Sequence, residues 1–248
     1  MSLPYFGLPS VYLGAYWGNR TESNEQCAQR MARFAQRLSS IDVAYTYWSV
    51  DGNAIEARNA IEICALLDSA PQGSTISGSN VGSGLFLSNS ALPSRVDGKL
   101  SFHCGCDANT QYTRIPNNVV IYFPDEGESA LRFSLDSVIR NILYAVIEAW
   151  QPDWAVVTSR ICRDYMSPAL ELQPFLGWMT WIPVAIQNIP QLPMPCQTYP
   201  VYGGTLIQAL QHTPDCTRGA DAAIMKLISA RLLAAGLLGN ADYSKQRG

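Results

Sequence analysis

The hydrophobic positions near the start of the chain change from a strand period to a helix period. Val11 to Tyr16 is a short apolar run that predicts a strand. Ser23 and Gln26 have the spacing of a capping box, which predicts the beginning of a helix. Apolar residues then recur at helical spacing at Cys27, Met31, Phe34, Ala35 and Leu38. We therefore expect a strand that leads into an amphipathic helix.

A second strand and a second helix are predicted before residue 70. The aromatic segment from Ala44 to Val50 predicts a strand that ends at a turn formed by Asp51 and Gly52. The helix is predicted from the apolar spacing of Ala57, Ile61, Cys64 and Leu67. The first 70 residues thus predict the order strand, helix, strand, helix.

The middle of the chain combines a low-complexity segment with two strands. Residues 71–95 are rich in Gly, Ser and Asn without a sustained period, which predicts a long surface loop. Lys99 to Cys106 and Asn118 to Phe123 each predict a strand. Because a polar turn separates them, we expect the two strands to pair antiparallel.

The second half alternates apolar strands with helices. The predicted elements are a helix from Leu135 to Ala149, strands at Trp154 to Ser159 and Trp178 to Val184, and a helix from Ala220 to Ala235 that stops at Gly236. Residues 239–248 form a polar tail. We expect an α/β fold in which a mixed β-sheet is flanked by helices, in a single domain of residues 1–248.

Composition and charge exclude several function classes. The chain has 248 residues, a net charge of -3 and few lysines, so it has no polybasic stretch to bind nucleic acid or anionic lipid. Its apolar runs are interrupted by charges, as at Glu148 and Arg231, and the N-terminal segment has no basic region. Seven cysteines, an odd number, are expected to pack as small hydrophobic residues. These features predict a protein of the cytoplasm, where thiols stay reduced.

One segment carries residue types that bind metals or act as nucleophiles, namely His103-Cys104-Gly105-Cys106. On a strand, His103 and Cys104 point to opposite faces and do not address one metal ion. A closed zinc site needs four ligands, and the only other histidine in the sequence is His212. We therefore interpret the segment as structural, and we predict no metal and no cofactor.

Two further motifs suggest catalysis but lack partners. Gly73 to Gly78 has the outer spacing of a phosphate-binding loop, but the lysine and hydroxyl positions hold Ser79 and Asn80. Asp97 and Lys99 have the spacing found in metal-dependent nucleases, and His103 would complete such a set. Because no upstream partner carboxylate is recognisable, a small metal-dependent nuclease is the alternative, and the favoured prediction is a protein that is not an enzyme.

An acidic group follows the second of the two middle strands. Asp125, Glu126 and Glu128 lie close together in the sequence. Such a group is most often a solvated turn, and the alternative is a docking patch for a basic partner.

Several short segments in a fixed order resemble a known family. They are Tyr12 to Arg20, Trp150 to Trp154, Gly177 with Trp178, Gly203 with Gly204, and Ala235 to Leu238. Together they resemble the immunity protein 52 family. The resemblance implies a bacterial protein that binds and neutralises a cognate secreted toxin, such as a type VI effector with a restriction-endonuclease-like DNase domain, in the cytoplasm. It implies no catalytic residue.

The resemblance also sorts the candidate site residues. Those expected to support the fold are Trp17, Gly18, Trp150, Asp153, Gly177, Trp178, Gly203 and Gly204. Arg20 either pairs with a carboxylate at the edge of the core or contacts the partner. The acidic residues predicted to contact a basic nuclease cleft are Asp107, Asp125, Glu126 and Glu128. A secretion adaptor that binds without inhibiting is a further alternative, and the oligomeric state is left open.

Overall fold

The computed structural model describes residues 10–70, 81–89, 98–106, 117–124, 127–167, 173–217 and 219–239. Within these residues, ten strands form one sheet in the order β3-β2-β4-β5-β6-β1-β7-β8-β10-β9. The strands are β1 Val11–Trp17, β2 Trp48–Val50, β3 Asn53–Ile55, β4 Val81–Ser88, β5 Lys99–Cys106, β6 Asn117–Tyr122, β7 Trp154–Ser159, β8 Met179–Ile182, β9 Gln197–Val201 and β10 Gly204–Gln208. The helices are α1 Asn24–Ile41, α2 Ala60–Ser69, α3 Gly127–Arg132, α4 Asp136–Trp150, α5 Arg160–Met166 and α6 Gly219–Ala234.

The predicted α/β class, with a sheet flanked by helices, is confirmed. A mixed sheet was the expectation, and each ladder between described strands is antiparallel. Strand β1 pairs with β6 on one side and β7 on the other, so the first strand of the chain lies inside the sheet. No helix of the described ranges is long and apolar enough to cross a membrane.

The first face of the sheet is covered by α1, α2 and α4. Strand β1 contributes every second side chain to this core, and these residues, Leu13, Ala15 and Trp17, are buried against the helices. Helix α1 begins where the capping box was predicted: the Ser23 hydroxyl accepts from the amide of Gln26, whose side chain accepts from the amide of Ser23. The predicted apolar face of α1 is confirmed, because all five of its residues are buried.

The second face of the sheet has a core at one end. Helices α5 and α6 pack against β7, β8 and β10 there, around buried residues such as Val156, Ile207 and Met225. At the other end, the strands β4, β5 and β6 carry side chains that stay accessible, such as Phe86 at 53% and Tyr122 at 37% exposure, whereas Tyr12 on the neighbouring β1 is buried. The sheet is therefore covered on both faces over part of its width.

The predicted loop of residues 71–95 is wrong where the structure has a strand. Strand β4 covers Val81–Ser88 and pairs with β5 over most of its length. Its Leu85 and Leu87 pack against the first core. The residues before them are Gly82, Ser83 and Gly84. With glycine and serine in so many positions, the strand has too few apolar residues to show an alternating pattern.

The region between α1 and α2 also differs from its prediction. A short 3-10 helix, Val43–Tyr45, replaces the first half of the predicted strand, and β2 is short and forms a hairpin with β3. Helix α2 begins one residue after its cap, Asn59, and buries Ile63 and Leu67. Ile61, which was placed on the apolar face, is 82% exposed. The prediction placed the start of this helix too early, at Ala57, and therefore assigned the wrong residue, Ile61, to its buried face.

The later strands and helices follow the predictions more closely. Lys99–Cys106 and Trp154–Ser159 are confirmed as strands with the predicted limits, and β5 pairs antiparallel with β6 as expected. Helices α4 and α6 lie within one residue of their predicted limits, and Gly236 has a positive φ of 69°. Besides β3 and β4, four of the strands and α-helices given above were not predicted: α3, α5, β9 and β10. Each is short, so its period is repeated too few times to be recognised.

Two of the seven cysteines are cross-linked, contrary to the prediction that they pack as thiols. Cys162 and Cys216 form a disulfide with a Cα–Cα distance of 5.2 Å. Cys162 lies in the first turn of α5, and Cys216 lies just before α6. The partners are 54 residues apart in the sequence, so spacing alone could not reveal the pair. Cys27, Cys104 and Cys106 are buried free thiols, as expected.

Candidate functional site

Arg20 lies in an ion-pair cluster immediately after β1. The Glu22 carboxylate, which is 6% exposed, accepts a 2.6 Å hydrogen bond from Nε of Arg30 on α1. Nη1 of Arg20 lies 4.0 Å from the other oxygen of Glu22. The sequence offered two roles for Arg20, and the structure pairs it with a carboxylate at the core edge. A contact between Arg20 and a partner stays a prediction.

The two guanidinium groups of this cluster also hold the end of α4. Arg20 donates to the carbonyl oxygens of Trp150 and Gln151, each at 2.7 Å. Arg30 donates to the carbonyl of Ala149 at 2.8 Å. These are terminal carbonyls of the helix, where a cation also interacts favourably with the helix dipole. The segment after β1 is thus fastened to the C-terminus of α4.

The residues beside Arg20 complete this junction. The Trp17 ring stacks on the Trp150 ring at a centroid distance of 5.5 Å, and the Arg20 guanidinium lies over the Trp17 ring at 5.2 Å. The amide of Gly18 donates to the Asp153 carboxylate at 2.7 Å. All of these contacts lie within the fold, which favours a structural role for Trp17, Gly18, Trp150 and Asp153.

The remaining family-motif residues also make internal contacts. Trp178 is buried and its indole NH donates to the carbonyl of Leu210 at 3.0 Å. Gly177 lies so close to β7 that a Cβ would overlap Val156 and the carbonyl of Val157. Gly203 has a φ of 77° in the two-residue turn between β9 and β10, and Gly204 lies against the carbonyl of Ile182. These positions are explained by chain geometry.

The side chains of the acidic residues predicted to contact a partner lie outside the part of the chain that the structure describes. Asp107, Asp125 and Glu126 lie outside the described residues, and Glu128 is described only as part of the backbone of α3. Their role in binding stays a prediction.

The candidate nuclease set is only partly visible. Asp97 lies outside the described residues, whereas Lys99 and His103 lie on the second face of β5. Cys104 faces the first core, so His103 and Cys104 point to opposite faces as predicted. Proximity to Cys27 and burial raise the pKa of the Cys104 thiol, which disfavours the thiolate needed for nucleophilic attack. The described residues contain no group of three acidic, histidine or cysteine side chains that could hold a metal.

A groove lies on the second face of the sheet, across β5, β6 and β1. The strand register aligns three rows of side chains there. One outer row is Lys99, Tyr122 and Tyr12; the middle row is Ser101, Val120 and Gly14; and the other outer row is His103, Asn118 and Tyr16. In the middle row, Gly14 is covered by the ring of Tyr16, so the small side chains of Ser101 and Val120 form the floor. We call this feature the sheet groove.

The sheet groove opens into a cavity beside α5. The cavity measures about 550 Å³ and contains Val120 in its lining. Its larger lining residues are Tyr12, Tyr16, Tyr122, Trp154, Arg160 and Arg163. The Tyr16 ring lies across Gly14, where any side chain would collide with it, and stacks on Trp154 at 4.5 Å. The glycine therefore allows an aromatic ring to lie flat on the sheet.

The hydroxyl groups in the cavity stay neutral. Burial raises the pKa of Tyr12, an effect that Arg163 partly offsets, and burial also raises the pKa of Tyr16. Both phenols are therefore protonated at physiological pH and can donate or accept hydrogen bonds. Arg163 bonds to the Tyr12 hydroxyl and to the Asp164 carboxylate, and the latter contact raises its pKa. A permanent positive charge thus lies beside two neutral tyrosines.

The cavity has the chemistry of a binding site. Aromatic faces pack against apolar or planar groups, and guanidinium groups bind carboxylates or phosphates. The sequence analysis missed this site because its residues come from four elements. The available signal was the alternation in β1, where Tyr12, Gly14 and Tyr16 lie opposite the buried Leu13, Ala15 and Trp17. Aromatic residues on the outer face of a strand indicate that this face has a contact to make.

Comparison with known proteins identifies the family of this chain. The model of the Immunity protein 52 family matches residues 9–241, so the chain belongs to that family. Among solved structures, the fold is similar to that of a protein described as Pseudomonas aeruginosa T6SS protein PA0821, with a TM-score of 0.57 and 9% sequence identity. The match covers 92% of this chain and 74% of the other. At this identity the likeness shows the fold alone. No curated protein matches the sequence.

Proposed function

We propose that this chain is an immunity protein that binds and neutralises a cognate secreted antibacterial toxin, protecting the cell that makes the toxin and its siblings. The observation that carries this proposal is the match to the Immunity protein 52 family over residues 9–241. The structure supports it with an accessible sheet groove whose chemistry suits binding. The chain would act stoichiometrically, by contact, without turnover.

The finer part of the proposal concerns the toxin. We propose a DNase effector of the type VI secretion system with a restriction-endonuclease-like domain, as the family resemblance implies. A nuclease cleft is basic because it binds phosphates, and acidic residues near its rim speed association. Asp107, Asp125, Glu126 and Glu128 are the proposed contacts for this cleft, in a chain whose net charge is -3.

The proposed compartment is the cytoplasm, where a DNase toxin meets its target. The Cys162–Cys216 disulfide is typical of oxidising compartments, so the compartment needs its own test. Cells are fractionated after thiols are blocked with a maleimide, and the chain is located by immunoblot. Recovery with the cytoplasmic fraction supports the proposal, and recovery with the periplasmic fraction contradicts it.

Co-expression with the toxin tests the proposed function. We propose that the adjacent gene encodes this toxin. Its toxin domain is induced in cells with and without this chain, and growth is followed. We expect arrest by the toxin alone and growth at the uninduced rate when both are present. A secretion adaptor would leave the arrest in place. Arrest that persists although both proteins accumulate would contradict the immunity function.

A further inference from the structure

We propose that the sheet groove is the surface that holds the toxin, and that it receives a carboxylate-bearing segment of the toxin against Lys99, Arg160 and Arg163. This inference rests on the proposed function and adds the surface and the chemistry of the partner segment. It concerns a different surface from the acidic residues assigned to the nuclease cleft.

The shape of the groove fits a protruding segment. Lys99 and His103 mark its two sides on β5, and residues four apart on a strand are separated by about 13 Å. Between them the floor consists of Ser101 and Val120, which are half-buried. A space of this width between aromatic walls accommodates one extended segment with its side chains directed to the floor. Buried anchors of this kind supply most of the energy at protein interfaces.

The charges at the groove select an anion. Arg160 is exposed, and neither its side chain nor that of Lys99 has a hydrogen bond or ion pair within the described part of the chain. Arg163 is paired with Asp164, which is the one carboxylate among the described residues that line the cavity. The described residues of this region therefore carry more positive than negative charge, in a chain whose net charge is -3. Guanidinium groups recognise carboxylates with paired hydrogen bonds, so an Asp or Glu side chain of the toxin is the complementary group.

The exposure of the groove also points to a contact surface. On the first face, the residues of β5 and β6 that alternate with the groove residues, such as Phe102 and Val119, are fully buried beneath helices. On the groove side, Phe86 and Tyr122 remain 53% and 37% exposed. Aromatic residues and arginine are enriched where proteins bind one another. A toxin segment that lies here would complete the coverage of the sheet.

Affinity measurements on groove variants test this inference. The full-length chain is titrated by calorimetry with the toxin domain of the adjacent gene, inactivated in its catalytic residue. We expect Arg160→Glu to weaken binding by about 10-fold or more, with a larger loss at low salt. Val120→Trp fills the floor and is expected to weaken binding by about 100-fold. The matched control is Arg33→Glu, an exposed arginine on α1, which should change the affinity by less than about threefold.

A charge swap identifies the partner group. Acidic residues of the toxin are replaced by lysine one at a time, and each variant is titrated with the Arg160→Glu chain. Recovery of affinity by one of them supports the proposed carboxylate contact. A duplex oligonucleotide is titrated in parallel. If Arg160→Glu lowered the affinity for the oligonucleotide but not the affinity for the toxin, the proposal would be overturned.

Each further outcome is decisive. Wild-type affinity in both groove variants, with circular dichroism confirming that they are folded, would overturn the groove and leave the proposed function intact. If Val120→Trp lost binding while Arg160→Glu had no effect at any salt concentration, the proposed contact with a carboxylate of the toxin would be overturned. A wild-type chain that neither binds the toxin nor protects cells would instead contradict the proposed function itself.

Discussion

Replacing Glu22 by glutamine tests whether the ion-pair cluster fastens the segment after β1 to α4. The substitution keeps the size of the side chain and removes its charge. Arg20 and Arg30 then remain beside each other without the carboxylate that lies 4.0 and 2.6 Å from their nitrogens. Their hydrogen bonds to the carbonyl oxygens of α4 would no longer be supported by a neighbouring negative charge. We therefore expect a less stable protein.

The size of the effect follows from burial. Breaking a buried ion pair by removing one partner costs about 3 to 5 kcal/mol. The Glu22 side chain is 6% exposed, whereas those of Arg20 and Arg30 are 21% and 23% exposed, so water partly compensates them. We expect a loss of about 2 to 4 kcal/mol in the free energy of unfolding. For a domain of this length, such a loss lowers the Tm by about 4 to 16 °C.

Urea denaturation and scanning calorimetry measure this loss directly. Glu25→Gln is the matched control, because Glu25 lies three residues after Glu22, in the first turn of α1, and is exposed. The control should lose less than about 1 kcal/mol. If Glu22→Gln and Glu25→Gln were equally stable, the cluster would not hold the junction and the reasoning would be refuted.

Three further predictions concern other parts of the fold. The Cys162–Cys216 disulfide closes a loop of 54 residues, so its reduction should lower the free energy of unfolding by about 4 kcal/mol. Calorimetry with and without reductant, or on a variant with both cysteines replaced by alanine, measures this loss. Equal Tm values would contradict the prediction. Gly177→Ala should destabilise the protein by about 1 to 3 kcal/mol in urea denaturation, because its Cβ would overlap β7, and an unchanged midpoint would refute this close approach. Burial raises the pKa of Tyr45 well above its usual value. The unfolded chain therefore releases this proton first, so the contribution of Tyr45 to stability is constant below about pH 10 and then falls by up to about 1.4 kcal/mol per pH unit. Tyr45→Phe should make that alkaline decline shallower, and an identical pH profile would count against it.

The elements with strong local patterns could be predicted from the sequence. Helix α4 has apolar residues on every turn, and β7 begins with four consecutive apolar residues, so both could be predicted with nearly correct limits. The capping box of α1 is a local signal of two residues, and it was also confirmed. Such elements can be recognised because their hydrophobic periods persist over many residues.

Elements that depend on tertiary contacts could not be predicted in the same way. Strand β4 is stabilised by pairing with β5, and its own glycines obscure the pattern. The disulfide joins Cys162 on α5 to Cys216 just before α6, and these residues, 54 positions apart in the sequence, become neighbours only in the folded chain. The sequence leaves two roles open for Arg20, and only the fold shows that α4 ends beside it. The family motif therefore contains the contact between the segment after β1 and the C-terminus of α4, which the sequence alone does not reveal.

The sheet groove illustrates the same limit at the level of the site. Its residues are separated in the sequence and become adjacent through the register of β5, β6 and β1. Tyr12 and Tyr16 belong to the segment that carries the family resemblance, so the motif contains both residues of the fold and residues of the groove. Because this segment contains residues of both kinds, the sequence alone does not tell which of them support the fold and which line the groove.

Titration of the toxin's activity with this chain tests the central claim most directly. The active toxin domain of the adjacent gene is held at a concentration well above the Kd, and its initial rate is measured while the full-length chain is added. The proposed function predicts a linear fall that reaches zero when binding sites on the chain equal the toxin molecules. An unchanged rate at a several-fold excess of folded chain would contradict it.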